Sequence, residues 1–214
     1  MKRFAAPNMR DPRATAAFIS CWRLRDRQHQ SDAAEAALAT MPAAPGMVRF
    51  SVLRALDDDT LLVLAQWTDP ATRDVYLADT RSPRGTVDAL VPGIERLWRV
   101  TALPHRVVTG PAIDQEPGCI VITRQPVPPA ERAEQRIWID AEIAALTAAA
   151  DGLVAATFYA TDDGSPALAL AEWTTEDAHR AVSGAQTISG RQEGAPEPPT
   201  GRRYAFVGAV GVEP

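Results

Sequence analysis

Residues 64–68 read LAQWT and residues 170–174 read LAEWT, so one pattern returns 106 positions further along the chain. With the same shift, GMV at residues 46–48 falls on GLV at residues 152–154, and no gap is needed between the two matches. Their order and constant spacing indicate an internal duplication, because unrelated short matches would not keep one offset. We therefore expect two copies of one structural unit in this chain of 214 residues.

A further match lies upstream, where FISCWR at residues 18–23 resembles CIVITR at residues 119–124 with an offset of 101. This alignment pairs Arg23 with Arg124 at the ends of the first strands of the two copies. Because the offset is smaller here, we expect a longer helix after the first strand of the second copy.

Each copy reads as strand, helix, two strands, helix and strand, because apolar periodicity alternates with turn-forming residues. The elements predicted for the first copy are strand 18–24, helix 30–41, strands 47–55 and 60–67, a helix opened by residues 69–70, and strand 97–103. Those predicted for the second copy are strand 118–125, helix 130–149, strands 153–161 and 166–173, helix 175–182 and strand 203–210. This order is the βαββαβ unit of ferredoxin-like folds, which leaves one apolar sheet face uncovered. We expect two such repeats to form a pseudo-dimeric α+β barrel with antiparallel sheets.

The predicted organisation has four parts along the chain. They are an N-terminal arm at 1–16, a first ferredoxin-like repeat at 17–104, a linker at 105–117 and a second ferredoxin-like repeat at 118–214. Two repeats joined in one chain keep the twofold geometry of a homodimer. The ligand cavities of the two repeats are then free to diverge, because each repeat can mutate separately. Self-association of the full chain into a further homodimer stays open.

Charge and composition exclude some kinds of binding partner and cellular location. The formal net charge is -5, and 23% of the residues are charged, which argues against partners that carry phosphate, namely nucleic acids and anionic membranes. No apolar stretch is long enough to cross a bilayer or to form the core of a signal peptide, so we expect a cytoplasmic protein. Cys21 and Cys119 lie in apolar strand-like segments and are expected to behave as small hydrophobic side chains.

The ends of the third strands carry a family resemblance. The segments AQWTDPATRDVYLADTRSP (65–83) and AEWTTEDAHRAVSGAQTIS (171–189) resemble the antibiotic biosynthesis monooxygenases of the dimeric α+β barrel superfamily, in a tandem duplicated form. Members commonly have an acidic residue two positions before the aromatic residue and a histidine on the following helix. Alanine replaces the acidic residue in both copies, and Tyr76 and Val182 replace the histidine. The resemblance therefore implies a cofactor-free oxygenase and not a haem-degrading enzyme.

Three aromatic residues are the leading candidates for catalysis. Trp67 and Trp173 end the third strands, where an indole can stack on a flat ligand and donate its N–H to a ligand oxygen. Core packing accounts for both tryptophans equally well. Tyr76, at the family's histidine position, could donate to a substrate carbonyl, although a tyrosine in such a place more commonly anchors a helix.

Arginines and a histidine complete the candidate set. Arg23 as a catalytic residue and Arg124 as a substrate-binding residue could stabilise an enolate or phenolate, whereas solvated arginines are common at strand ends. Trp22, beside Arg23, is the remaining aromatic candidate for substrate binding. His179 lies three residues after Glu176 and could form an acid/base pair with it, or could simply lie on a solvated helix face.

The resemblance implies a planar, phenolic substrate of the aromatic polyketide type and dioxygen as partners. The chain shows none of the usual nucleotide, haem or metal motifs, so no cofactor is expected. We expect a monooxygenase of antibiotic or secondary metabolite biosynthesis. Two alternatives stay open on the same barrel, namely a polyketide cyclase and a non-catalytic protein that binds a small molecule.

Overall fold

The computed structural model describes residues 1–79, 84–125, 137, 139–141, 143–144, 151–161, 167–188 and 201–213. The elements, in chain order, are β1 (Lys2–Phe4), β2 (Ala16–Arg23), α1 (Arg27–Thr40), β3 (Met47–Ala55), β4 (Thr60–Trp67), α2 (Pro70–Ala78), α3 (Arg84–Leu90), β5 (Glu95–Thr109), β6 (Cys119–Gln125), β7 (Leu153–Thr161), β8 (Ala167–Trp173), α4 (Glu176–Ile188) and β9 (Arg202–Gly211). They belong to two compact units. Unit 1 contains Met1–Pro104 and Tyr204–Pro214, and unit 2 contains His105–Arg203.

Unit 1 is built on one antiparallel sheet with the strand order β1-β9-β3-β4-β2-β5. The run β3-β4-β2-β5 is the ferredoxin-like order, in which the third strand lies between the first and second and the fourth strand pairs with the first. The predicted α+β fold class is therefore confirmed. The last strand, β9, was predicted as part of the second repeat, and its residues from Tyr204 onward pair with β3 and β1 in unit 1.

Unit 2 has the strand order β7-β8-β6, which corresponds to β3-β4-β2 of unit 1. The details of pairing also correspond. Met47 pairs with Trp67 and Leu153 pairs with Trp173, and in both cases the register shifts directly afterwards in a bulge. This shared register supports the internal duplication that the sequence predicts.

The strand register corrects one detail of the predicted alignment. Ala16 is the partner of Trp67, and Cys119 is the partner of Trp173, so the counterpart of Arg124 in unit 1 is Cys21 and not Arg23. The predicted alignment is two residues out of register. A slip of two residues keeps every side chain on its original face, so apolar alternation alone could not detect the error.

The helices of unit 1 begin at capping aspartates. Asp26 accepts the backbone N–H of His29 at 2.9 Å at the start of α1, and Asp69 accepts that of Thr72 at 2.8 Å at the start of α2. Such caps satisfy N–H groups that have no partner within the helix. Small residues of α1, including Ala33 and Ala37, then pack on the sheet in one buried core.

One glycine fixes the approach of α2 to the sheet. Gly46 has φ of 76°, and a Cβ atom there would lie 2.4 Å from Thr72 Oγ1. Glycine is therefore required both for the left-handed backbone and for the close contact. Its counterpart Gly152 lies equally close to α4, since a Cβ atom there would lie 2.4 Å from Ala178 Cβ. The same close approach thus occurs in both units.

Several observed elements differ from the predicted ones. Strand β5 extends to Thr109, beyond the predicted end at 103, because the β-branched residues near Val107 favour extended backbone. Helix α3 was not predicted. The predicted helix 130–149 lies largely outside the described residues. The segment 162–164, whose sequence Asp-Asp-Gly predicts a hairpin turn, lies entirely outside them. Within the described part of the chain, no helix is long and apolar enough to span a bilayer.

Candidate functional site

A cavity of about 380 Å³ lies in unit 1 between one face of the sheet and the helices α1, α2 and α3. Its volume is within the range of small-molecule sites, roughly 300–1,000 Å³. Apolar side chains form much of its wall, among them Phe18, Phe50, Val63 and Ala65. Ala65 contributes a methyl group and no charge to this wall.

Trp67 and Tyr76 form one end of the cavity. Trp67 is fully buried, and its ring centroid lies 5.0 Å from that of Tyr76 with the planes tilted by 46°. The Tyr76 hydroxyl donates to Met41 Sδ at 3.3 Å, which is a weak acceptor. The indole N–H of Trp67 is buried and has no acceptor among the residues that the structure describes. An unmade hydrogen bond of this kind costs about 1–3 kcal/mol.

Burial keeps Tyr76 protonated. Desolvation by burial, together with the charge of the nearby Asp79, raises the pKa of Tyr76 to about 12. At neutral pH Tyr76 is therefore a hydrogen-bond donor and not a phenolate base. This end of the cavity thus presents one N–H and one O–H, both neutral.

Trp22 lies at the other end of the cavity, and its own N–H is already engaged. It donates to Ser20 Oγ at 3.0 Å, and Ser20 Oγ in turn donates to the carbonyl of Trp98 at 3.2 Å. The guanidinium of Arg96 lies 5.1 Å above the Trp22 ring, in cation–π geometry. Arg96 also pairs with Asp88 at 2.7 Å. Trp22 therefore offers a ligand its ring face rather than its N–H.

A bulge in β5 brings a second arginine to the same end. Ser20 pairs with Arg99, whereas Trp22 pairs with Arg96, because the register shifts between Cys21 and Trp22. In a regular strand, two residues three positions apart point to opposite faces. The bulge places both arginines against the cavity, as bulges near binding sites commonly do. Sequence reasoning missed both residues, because alternation alone predicts that they diverge.

The two arginines that the sequence predicts as site residues, Arg23 and Arg124, do not line the unit 1 cavity. Arg23 is exposed and pairs with Glu95 at 3.1 Å, and it does not belong to the described lining of the cavity. Arg124 lies in unit 2 on β6, opposite Leu168. Since Trp173 pairs with Cys119 in the same ladder, alternation puts Arg124 on the face opposite to Trp173. The structure therefore brings together Trp22, Trp67 and Tyr76 but not Arg23 or Arg124.

Unit 2 places Trp173 beside His179. Trp173 is buried at the end of β8, and its ring meets the His179 ring edge to face at 5.4 Å. The Trp173 N–H, like that of Trp67, has no acceptor in the described part of the chain. Glu176, the suggested acid/base partner of His179, instead forms ion pairs with Arg180 and Arg203. An imidazole thus lies against the tryptophan here, where unit 1 has a phenol.

The described residues contain no group of three or more His, Cys, Asp or Glu side chains that could hold a metal ion. The described polar groups that line the unit 1 cavity are hydroxyls, indole N–H groups, arginines and the carboxylate of Asp79. Arrangements of this kind bind organic ligands through hydrogen bonds and charge.

Comparison with solved structures gives whole-chain likenesses. An anthrone oxidase-like protein superposes with a TM-score of 0.65 at 13% identity, covering 98% of this chain and 96% of that chain. A candidate monooxygenase from Fusobacterium nucleatum superposes with a TM-score of 0.58 at 11% identity, covering 92% and 94%. Another candidate monooxygenase, from Lactobacillus acidophilus NCFM, gives 0.54 at 14% identity, covering 93% and 100%.

These likenesses are structural only. No protein-family model matches the sequence, and neither does any curated protein. At identities this low, a structural likeness shows the fold and not the reaction. The chain has the α+β fold that these monooxygenase-type structures share.

Proposed function

We propose that this chain is a cofactor-independent monooxygenase that oxidises a phenolic or anthrone-type intermediate of aromatic polyketide origin with dioxygen. The observation that carries the proposal is the buried N–H of Trp67, which has no acceptor among the described residues, beside the protonated hydroxyl of Tyr76 at the end of an apolar cavity. A substrate oxygen that accepts from these donors would satisfy the indole and hold the ring plane in place. A pathway of antibiotic or other secondary metabolite biosynthesis is the setting that we propose.

The reaction balances without an external reductant. Loss of a proton gives the substrate a delocalised anion, and this anion transfers an electron to dioxygen. The resulting radicals combine to form a C–O bond at the ring carbon, and the peroxide takes up a proton in place of the one lost in the first step. Cleavage of the O–O bond, with loss of the remaining C–H proton, then releases water and leaves a carbonyl. One oxygen atom of dioxygen becomes bonded to the ring carbon and the other leaves as water, so an anthrone CH₂ becomes a quinone C=O. The substrate itself supplies all four electrons.

The protein groups of unit 1 suit the three tasks of such a reaction. Trp67 and Tyr76 would donate to the oxygen on which the anion's charge is concentrated. Phe18, Phe50 and the Trp22 ring would hold the flat ring system in a site from which water is excluded. Unit 1 is the proposed working half, since Val182 replaces the tyrosine in unit 2. The whole-chain likeness to an anthrone oxidase-like protein supports this choice of chemistry.

The proposal is tested by oxygen consumption. Metal-stripped protein is mixed with an anthrone, and dioxygen uptake is followed together with quinone absorbance. We expect enzyme-dependent uptake with one molecule of dioxygen consumed for each quinone formed. Tight binding of the anthrone without uptake would overturn the proposal and leave a cyclase or a binding protein on the same fold.

A further inference from the structure

The unit 1 cavity has two chemically different ends, and the arginines at the second end have no task in the oxidation described above. We propose that the substrate carries a carboxylate at a distance from its reacting ring carbon, and that Arg99 binds this carboxylate with support from Arg96. This inference rests on the proposed function only in using the same cavity. It assigns the substrate class: an aromatic ketone or phenol with an acidic side group at the far edge.

Strand register separates the two ends. Trp67 lies opposite Ala16 at the beginning of β2, and Arg99 lies opposite Ser20 in the same strand. The four-residue step from Ala16 to Ser20 corresponds to about 13 Å along the strand. Phe18 lies between them and lines the cavity. A ligand that reaches both ends must therefore be elongated and flat, with polar groups at opposite edges.

Charge at the second end favours an anion. Among the described residues that line the cavity, three are arginines, namely Arg84, Arg96 and Arg99, and one is a carboxylate, Asp79. This concentration of positive charge stands out in a chain with a net charge of -5. Potentials of this kind attract an anionic ligand and orient it as it enters.

Arg99 is the guanidinium best placed to receive the anion. Arg96 is committed to Asp88 at 2.7 Å, and Asp88 also lies 3.9 Å from Arg84. Arg99 is exposed, and no carboxylate among the described residues pairs with it in the structure. A guanidinium presents two parallel N–H groups that match a carboxylate in bidentate geometry.

A carboxylate fits this position better than a second phenol. A carboxylate is fully ionised at neutral pH, whereas an unperturbed phenol is not. A permanent charge is costly to bury but inexpensive at a rim where water still reaches it. The exposed Arg99 offers such a rim, while the buried Trp67 end suits an oxygen that is neutral before the reaction begins.

The test compares two ligands that differ only in charge. One is a hydroxynaphthoate whose hydroxyl and carboxylate lie at opposite ends of the ring system, and the other is its methyl ester. Binding is measured by titration calorimetry without turnover. We expect the acid to bind about tenfold more tightly than the ester, as one charge-assisted bidentate pair would give. The preference should shrink in high salt, because the pair lies at the rim.

The variant Arg99→Gln locates the effect, and Arg25→Gln is the matched control because Arg25 is an exposed arginine outside the cavity lining. Arg99→Gln should abolish the preference for the acid and leave the affinity for the ester unchanged, whereas Arg25→Gln should retain the preference. Equal binding of acid and ester by the unaltered protein would overturn the inference, as would an equal loss of both in Arg99→Gln. A retained preference without oxygen uptake would refute the oxygenase and leave this inference standing.

Discussion

The substitution Trp67→Phe separates a role in ligand binding from a role in core packing. Trp67 is fully buried, and its N–H has no acceptor among the described residues. Loss of ring volume in a core costs about 1–3 kcal/mol, but removal of a buried, unmade donor returns about 1–3 kcal/mol. These two contributions oppose each other, and we therefore expect the free energy of unfolding to change by no more than about 2 kcal/mol.

The effect on catalysis should be larger. A hydrogen bond to a charged oxygen contributes about 1.5–3 kcal/mol, so kcat/KM for anthrone oxidation should fall roughly 10- to 150-fold in Trp67→Phe. Urea unfolding measures stability, and initial rates of oxygen uptake measure kcat/KM. A loss of stability of several kcal/mol with an unchanged kcat/KM would refute the binding role and leave Trp67 as a packing residue.

Trp173→Phe is the matched control. Trp173 has the same register position in unit 2, is also buried, and also has an N–H without an acceptor among the described residues. Loss of ring volume and removal of the unmade donor again oppose each other, so we expect a similarly small change in the free energy of unfolding. Because its neighbour is His179 and not a tyrosine, we expect kcat/KM to stay within about twofold. Indistinguishable losses from the two substitutions would contradict the assignment of the site to unit 1.

Two further predictions concern stability. Since burial raises the pKa of Tyr76 from 10.0 to about 12, the folded state holds this phenol neutral, and the free energy of unfolding should fall as pH rises from 10 towards 12. Tyr76→Phe should make this fall shallower in urea series taken at each pH, and an unchanged slope would contradict the pKa shift. Gly46→Ala should destabilise unit 1 by roughly 2–4 kcal/mol, since it combines a positive φ with a clash against Thr72, which is held by Asp69. Gly93→Ala should cost only about 1–2 kcal/mol, because φ there is also positive but no atom lies within 4 Å; equal losses from the two would show that the contact with α2 does not matter.

Much of the fold could be predicted because it rests on local patterns. The strands β3, β4 and β7 follow their apolar segments closely, and Asp69 and Pro70 mark the start of α2. The repeated LAQWT and LAEWT segments lie at the same register position of the two units. These features depend on residues near one another in sequence, where periodicity and capping carry the information.

What could not be predicted depends on pairing between distant strands. The bulge that turns Arg96 and Arg99 to one side appears only when β5 is paired with β2. The two-residue error that aligned Arg23 with Arg124 keeps every side chain on the same face of its strand. The alternation of apolar and polar residues therefore could not reveal it. The aromatic part of the candidate site was thus predictable from the ends of strands, while its charged part was not.

The proposed reaction takes its electrons from the substrate and the new carbonyl oxygen from dioxygen. It is tested most directly by a single turnover of an anthrone by metal-stripped protein under isotopically heavy dioxygen, with mass spectrometry of the quinone and of the water. We expect one heavy oxygen atom in each quinone and the other in water. A quinone whose new oxygen comes from ordinary water, or no quinone at all, would contradict it.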